Sequence, residues 1–355
     1  MAAAHTLYKK RQRAKKTPKR MCSAHSSQRK DIGNTMQTNY LPEGALLNTP
    51  ENQGYLATPG GLEYAMNNGI TVEGMVTLCD EHLCLHVDLH CAQGILAAEE
   101  VMWCRAGETR KDIAVISRVG KPIAVRILAL ELRNGILTAI LSRRLAQREC
   151  LSQLLAAGHP GDLIAAKVTH LESFGAFLDI GCGIASLLAV DCISVSRISH
   201  PRDRLAVGME IPVVIKSIDR DSGRIYVTLR ELLGTWEENA AQFAPGHTVT
   251  GIVRSVESYG VFVELTPNLA GLAELREESV EELGKRIGHL SAVYIKSIVP
   301  ERMKIKLVLI DVSSARAPRS ELRFFTTPAQ TSHLSHWRYS PVGARRVIDT
   351  QFDPA

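Results

Sequence analysis

The stretch that decides the fold runs GDLIAAKVTHLESFGAFLDIGCGIASLLAV over residues 161–190 and resumes as GMEIPVVIKSIDRDSGRIYVTLR over residues 208–230. It predicts five short strands, and alternation is clearest in the last, where Ile225, Val227 and Leu229 share one face. Glycine and short polar residues fill the breaks, as residues 181–183 and 219–223 show. Five strands in about 70 residues favour a small closed barrel, because closure leaves few strand edges unpaired.

The same pattern returns further along the chain. Residues 172–177, ESFGAF, recur 85 positions later as ESYGVF, and residues 215–218, IKSI, recur unchanged 80 positions later. A fainter copy lies upstream, where HVDL at 86–89 matches FLDI at 177–180, and GILA at 94–97 matches GIAS at 183–186. Self-similarity of this kind predicts tandem copies of one module, here three.

The shared features are an S-[FY]-G-x-F turn, a glycine-rich turn after it, and a last strand that opens Arg224-Ile225 or Lys304-Ile305. Together they resemble the S-one RNA-binding repeat, an OB-fold family named after the bacterial small-subunit ribosomal protein. The resemblance covers roughly residues 69–312, and the whole arrangement is similar to the short bacterial form within that family. It implies an all-β chain of three tandem five-stranded OB-fold barrels joined by short helical linkers, with disordered or extended tails.

The domain boundaries follow from the repeats and from changes in composition. We predict a basic disordered tail at 1–39, a turn-rich lead-in at 40–68, a degenerate OB-fold repeat at 69–150, an RNA-binding repeat with a helical linker at 160–243, a second RNA-binding repeat at 245–312, and a C-terminal tail at 313–355.

The basic character of the chain is concentrated at its start. Residues 1–30 carry ten Lys or Arg and no acidic residue, so the remainder is net acidic. Such a run cannot bury a core, which favours a solvated, disordered tail. An organelle-targeting peptide and a true start near Met36 remain as alternatives.

Other features of composition bound the class of protein. The longest uncharged apolar run, residues 180–190, is too short to cross a bilayer, so no membrane association is predicted. The eight cysteines form no CxxC pair and no secretory leader precedes them. Reduced thiols and a cytoplasmic location are therefore expected.

A row of potential metal ligands lies in the first module. It consists of His82, Cys84, His86, Asp88 and His90. Zinc uses such ligands, but residues two apart on one strand are too linear to close a tetrahedron without a second element. A polar barrel face is favoured, and no metal or other cofactor is predicted.

The first module also differs from the others at the positions that matter for binding. Leu83 and His86 stand where the second copy has Phe174 and Phe177, and Ile136 stands where Arg224 would be. In the family that the chain resembles, a degenerate leading repeat often docks on protein, so a scaffold or ribosome-contacting role is the hypothesis here.

The second module carries the strongest candidate surface for RNA. An OB barrel holds single strands by stacking bases on exposed rings while basic side chains follow the phosphates. The resemblance implies that Phe174 and Phe177 stack, with Asp219 and Arg224 opposite. The alternation adds two more residues, Tyr226 and Arg230. Ser186 occupies the place of a histidine that the family usually has, which reduces the expected base specificity.

The third module repeats this set with some changes. Tyr259 and Phe262 supply the rings, and Lys304 and Lys306 supply charge, with Arg254 expected nearby. Glu274 takes the histidine position, so weaker binding is expected. The alternative for all four rings is a buried core; their pairing in two copies and a core already supplied by Val and Ile favour exposure.

The C-terminal segment places aromatic and basic residues together after residue 320. They could bind RNA or a partner, but a terminal strand that packs back on the third module is slightly favoured.

Nothing in the sequence indicates catalysis. It has no GxxxxGKS, HExxH or GxSxG motif, and the repeats leave no room for a catalytic domain, so neither catalytic residues nor a small-molecule substrate is predicted. The expected function is non-catalytic binding of single-stranded RNA, specifically mRNA, in translation on the small ribosomal subunit. A non-ribosomal RNA-binding regulator of RNA decay or transcription, and a protein-docking scaffold without nucleic-acid binding, are the alternatives.

Overall fold

The computed structural model describes residues 40–105, 107–274 and 280–353. Within these ranges the chain forms three closed barrels of five strands each. The predicted all-β, OB-fold class is therefore confirmed. The basic tail predicted at 1–39 lies outside the described residues.

The first barrel contains strands β1 to β5. Its strands are β1 (Val72–Cys79), β2 (Leu85–Asp88), β3 (Gln93–Leu96), β4 (Pro122–Arg133) and β5 (Ile136–Ser142). They run in the order β1-β2-β3-β5-β4, and only the β3–β5 pairing is parallel. That parallel contact closes the barrel.

The second barrel repeats this topology. Its strands are β6 (Leu163–Glu172), β7 (Gly175–Asp179), β8 (Ala185–Ala189), β9 (Glu210–Asp219) and β10 (Arg224–Thr228). A parallel contact between β8 and β10 again closes the barrel, with Leu187 opposite Tyr226. The alternating Val, Ile and Leu residues of these strands form its interior, as predicted.

The third barrel has the same order of strands. Its strands are β11 (Thr248–Glu257), β12 (Gly260–Thr266), β13 (Leu269–Ala273), β14 (His289–Val299) and β15 (Lys304–Arg316). Leu272 of β13 lies opposite Lys306 of β15 in the parallel contact. Because the three contacts correspond, they align the barrels residue by residue.

Six α-helices occur in the described ranges. They are α1 (Pro50–Leu56), α2 (Pro59–Asn67), α3 (Asp112–Ile116), α4 (Arg143–Ala157), α5 (Trp236–Ala240) and α6 (Val280–Gly284). The lead-in, which the sequence predicted as turn-rich, thus holds two helices, α1 and α2. None of the helices in the described part is long and apolar enough to cross a bilayer.

The lead-in and α4 join the first two barrels through a buried ion pair. Arg143 donates from Nε to Glu43 Oε1 at 2.5 Å and from Nη2 to Oε2 at 2.9 Å, and both side chains are buried. Burial alone would raise the pKa of Glu43, but Arg143 outweighs it and the pKa lies below its usual value. Arg143 thereby favours the ionised form of Glu43 although the carboxylate is buried.

The same cluster holds the β7–β8 turn of the second barrel. Asp179 accepts hydrogen bonds from the backbone N–H groups of Glu43, Gly181 and Gly183. Burial, together with the charge of Glu43, raises the pKa of Asp179 to about 6. A Cβ on Gly183 would lie 1.9 Å from Arg143 Nη2, so only glycine allows this close approach.

A second ion-pair cluster joins the second and third barrels. Arg204, fully buried, donates to Glu264 Oε2 at 2.5 Å, and Arg254 donates to the same carboxylate at 2.6 Å. Arg254 also pairs with Asp203 at 3.3 Å. Residues from both barrels therefore share one buried carboxylate.

The C-terminal segment packs on both of these barrels. It contains a hairpin of β16 (His336–Arg338) and β17 (Asp349–Gln351). Trp337 and Tyr339 join the apolar core of the third barrel, whereas Phe352 joins that of the second. Packing on the third barrel was the favoured interpretation of this segment, and the contact with the second barrel adds to it.

Candidate nucleic-acid interface

A pair of aromatic rings stands on the outer face of the second barrel. Phe174, in the β6–β7 turn, is 55% exposed, and Phe177 of β7 is half-buried. Their ring centroids are 6.1 Å apart and the planes meet at 89°, an edge-to-face arrangement. The outward face of each ring is available to a ligand.

Strand alternation explains why Phe177 faces outward. Its neighbours Ala176 and Leu178 are fully buried, so Phe177 must project from the opposite side of β7. Gly175 permits the turn, because a Cβ there would lie 2.5 Å from the carbonyl oxygen of Leu188.

Other side chains extend this face on both sides of the rings. Phe177 lies opposite His170 of β6 and Leu187 of β8 in the antiparallel register. The His170 ring centroid is 6.4 Å from that of Phe177, and its Nε2 is 2.7 Å from Glu172 Oε1. Tyr226, half-buried, follows on β10 beyond Leu187.

Charged residues lie where the β9–β10 hairpin turns. Arg224 and Asp219 are opposite one another and both are exposed. Ser222 donates to Asp219 from its hydroxyl and its N–H, and these hydrogen bonds lower the pKa of the carboxyl. Asp219 thus stabilises, through these hydrogen bonds, the β9–β10 turn that precedes Arg224.

Arg230 does not extend the face as the sequence predicted. Strand β10 ends at Thr228, and Arg230 begins a short 3-10 turn in which alternation no longer holds. Its Nε lies 3.1 Å from Glu231 Oε1 and its Nη2 lies 3.4 Å from Thr350 Oγ1. The guanidinium therefore contacts the C-terminal segment.

The third barrel reproduces the ring pair. Tyr259 is 61% exposed and Phe262 is half-buried, with centroids 6.3 Å apart and planes at 89°. Phe262 lies between Ser255 and Leu272 in the register. Ser255 thus takes the position that His170 has in the second barrel.

Two lysines border the second ring pair. Lys306 occupies the position of Tyr226, and Lys304 occupies that of Arg224; both are exposed. Arg254, expected near this face, is instead held in the buried cluster with Glu264. Its charge is used between barrels rather than on the ring face.

The register corrects the sequence alignment at the histidine position. Ser186 pairs with Leu178 and is buried, and its hydroxyl donates to the carbonyl of Ile225. Gly271 takes the same place in the third barrel, because it pairs with Val263. Glu274 lies three residues further on and is exposed, so Ser186 and Glu274 do not occupy equivalent positions.

The first barrel has no ring pair on the corresponding face. His86 occupies the position of Phe177 and contacts Gln93 at 3.0 Å and Asp80 at 3.5 Å. The parallel register aligns Ile140 with Tyr226, and therefore Thr138, rather than Ile136, with Arg224. Ile136 instead lies near the tip of a longer hairpin.

The row of His and Cys residues in this barrel forms no ligand set. Among the described residues, no group of three or more His, Cys, Asp or Glu side chains could hold a metal ion. The seven cysteines in the described ranges are all free thiols.

Comparison with known proteins gives this geometry a family context. Residues 159–230, which contain the second barrel, match the family described as the S1 RNA binding domain. The second barrel is therefore similar to S1-type OB-fold domains. The chain resembles small ribosomal subunit protein bS1: it is 34% identical over 170 residues to that of Staphylococcus aureus (strain COL), covering 46% of this chain and 43% of the relative.

Other relatives extend the similarity without completing it. The bS1 of Staphylococcus saprophyticus is 31% identical over 202 residues, covering 56% of this chain and 49% of the relative. The chain therefore matches about half the length of these curated relatives. A multidomain protein with nucleic acid binding domains from Streptococcus pneumoniae is 14% identical over 68% of this chain and 73% of its own, with a TM-score of 0.22, too low to support an inference.

Several residues of the site were missed from the sequence. His170, Leu187 and Leu272 flank the rings, yet they belong to no motif that was singled out. Pairing β6 with β7 from the Ser173-Phe174-Gly175 turn would have found His170. Finding the two leucines requires the register of β8 and β13. The sequence alignment had this register wrong.

Proposed function

We propose that this S1-type protein binds single-stranded RNA non-catalytically on the ring faces of its second and third barrels. One observation carries the proposal: two barrels present the same edge-to-face ring pair, with one exposed ring in each and Arg224 or Lys304 and Lys306 alongside. Every base has a π-face, so such rings stack bases without strict sequence preference.

The matching family description and the bS1 relatives support RNA as the ligand. The basic residues on these faces can follow a phosphate backbone, and an anionic ligand fits them. We further propose that the RNA is mRNA and that the protein acts in the cytoplasm in association with the small ribosomal subunit.

The ring proposal is tested by replacing Phe174, Phe177, Tyr259 and Phe262 together with Ala and measuring binding of a single-stranded oligonucleotide by fluorescence anisotropy. Stacking contributes about 1–3 kcal/mol per base, so loss of even one stacked base weakens binding roughly tenfold. Unchanged affinity would exclude these faces as the binding surface.

Tyr64 provides a matched control. It is 56% exposed, close to the value for Phe174, and it stacks with Tyr55 on the lead-in helices, outside the barrel strands. Replacing Tyr64 with Ala should leave RNA affinity unchanged. A loss equal to that of the ring variant would indicate general damage.

The ribosomal part of the proposal needs a separate measurement. The protein should sediment with small subunits in a density gradient at low salt. Sedimentation apart from ribosomes, with RNA binding intact, would favour the alternative of a non-ribosomal RNA-binding regulator. Retained partner binding by the ring variant, with no RNA bound by the wild type, would favour a docking scaffold.

A further inference from the structure

An arginine-lined pocket lies beside α4 on the first barrel. Its volume is about 610 Å³, in the range of ligand pockets. We call it the arginine pocket and define it by Trp103, Arg110, Arg144 and Arg148, with Leu128 also exposed in its lining.

Glu99 and Glu100 share the lining with the three arginines, so the cations of this pocket are only partly neutralised. Arg144 and Arg148 lie four residues apart on one face of α4, and Arg144 Nη2 contacts Glu100 Oε1 at 2.6 Å. Arg148 is exposed and has no ion pair within the described ranges. Arg110 Nε is buried and has no hydrogen-bond partner among the residues that the structure describes. A buried guanidinium N–H without an acceptor is costly. Arg110 also lines the pocket, where its charge can attract an anion.

An aromatic residue borders these charges. Trp103 is half-buried, and its backbone N–H donates to Gln147 Oε1 at 2.9 Å. The guanidinium of Arg105 lies 5.6 Å from the Trp103 ring centroid. Arginines beside an aromatic side chain suit a nucleotide, because guanidinium groups bind phosphate and the ring contacts a base.

The pocket is connected to the proposed RNA path on the second barrel. Arg105, two residues after Trp103, donates to the carbonyls of Ser222 and Gly223 at 2.9 and 3.2 Å. Those carbonyls belong to the β9–β10 turn that carries Arg224. A strand that leaves the ring face past this turn therefore meets the first barrel at the segment that lines the pocket.

A second cleft between the same barrels is less suitable. It is lined by Lys121, Lys167 and Arg118, but Lys167 is 3.2 Å from the Glu43 carbonyl and 3.6 Å from Glu210, and Arg118 pairs with Glu43. Its cations are mostly engaged already.

We propose that the arginine pocket binds the phosphodiester backbone of RNA that extends from the second barrel onto the first. The proposal rests on the RNA-binding function proposed above. It gives the first barrel a binding role on a surface other than the strand face that carries rings in its neighbours.

The test compares Arg110→Gln and Arg148→Gln with Arg133→Gln, each in the full chain. Arg133 is an exposed arginine of the same barrel, at the β4–β5 hairpin, paired with Glu131. The ligands are single-stranded oligouridylates of about 8 and about 24 nucleotides, spanning the site sizes of one and several OB folds. Affinity is measured over a series of salt concentrations.

Each pocket variant should weaken binding of the longer oligonucleotide about threefold to tenfold, with little change for the shorter one. The slope of log affinity against log salt should shrink by about 0.7 for each phosphate that the variant no longer neutralises. Arg133→Gln should match the wild type. Pocket variants that behave like Arg133→Gln would overturn the proposal.

A local signal separates this proposal from the ring proposal. The chain has three tryptophans, and Trp236 and Trp337 are buried, so a change in fluorescence that Trp103→Phe abolishes reports on the pocket. The longer oligouridylate should produce it. A response to inorganic phosphate but not to RNA would overturn the proposal. If the ring variant binds the longer oligouridylate normally while the pocket variants bind it weakly, the pocket proposal is supported and the ring proposal is contradicted.

Discussion

At the scale of single residues, the alternation of β7 and β12 determines what the candidate site can do. Phe177 and Phe262 face outward because their neighbours fill the barrel interiors, and the turn residues Phe174 and Tyr259 meet them edge to face. The sequence predicted these four rings as the site. Their exposure agrees with that expectation, and their role in binding RNA stays a prediction.

Charged residues that sequence analysis did not connect hold the barrels together. Glu43 lies in a lead-in in which no chemistry was recognised, yet its carboxylate is buried against Arg143, one hundred positions away. No local sequence pattern predicts an ion pair between residues so far apart in the chain.

Replacing Glu43 with Gln should lower the free energy of unfolding by about 3–5 kcal/mol, because Arg143 would be left as an uncompensated buried charge. Urea denaturation measures the change. Glu131→Gln is the control, since Glu131 pairs with Arg133 at the surface and its loss should cost no more than about 1 kcal/mol. Equal effects of the two substitutions would show that the Glu43 pair is not structural.

At the scale of elements, the C-terminal segment behaves as a strap across two barrels. His333 connects it to the second barrel, since Nδ1 is 2.7 Å from Asp162 and Nε2 is 3.0 Å from Asp353. His159 also faces Asp162, at 3.9 Å. Burial alone would lower the pKa of His333, but the two carboxylates outweigh it and the pKa is raised.

The contribution of His333 to the stability of the C-terminal segment should therefore be largest at low pH. A histidine with a raised folded pKa contributes stability that is fully present below about 6.5, its unfolded value, and that is lost as pH rises through the folded pKa. The difference in unfolding free energy between wild type and His333→Gln should shrink between pH 6 and 9, in urea titrations at about one-unit steps. A difference that grows with pH would contradict the assignment. His159→Gln controls for the neighbouring histidine.

At the scale of the whole molecule, the ring pairs of two barrels belong to one connected structure. The cluster of Arg204, Glu264 and Arg254 and the C-terminal strap both join the second barrel to the third. Two weak sites in one molecule gain from a high effective concentration once one ligand reaches both.

RNA affinity should accordingly rise steeply with length, by about a hundredfold or more once the oligonucleotide spans both ring pairs. Replacing only Phe174 and Phe177, or only Tyr259 and Phe262, should remove this rise while leaving weak binding of short RNA to the other barrel. Anisotropy titrations over a length series measure it. A rise that persists in both double variants would mean that the two faces do not act together.

The sequence by itself determined the class of fold, the number of barrels and the outward rings, because alternation, turn residues and repeats are local signals that each copy carries independently. Only the tertiary structure decided the positions of Arg230, Arg254 and Ser186, and the pairings of Glu43 and His333. Those depend on where a strand ends, which register it takes and which distant residues burial brings together. A buried charge pairs with whichever opposite charge the packed barrels bring near it. The separation of the two residues along the sequence does not indicate that they will be close in space.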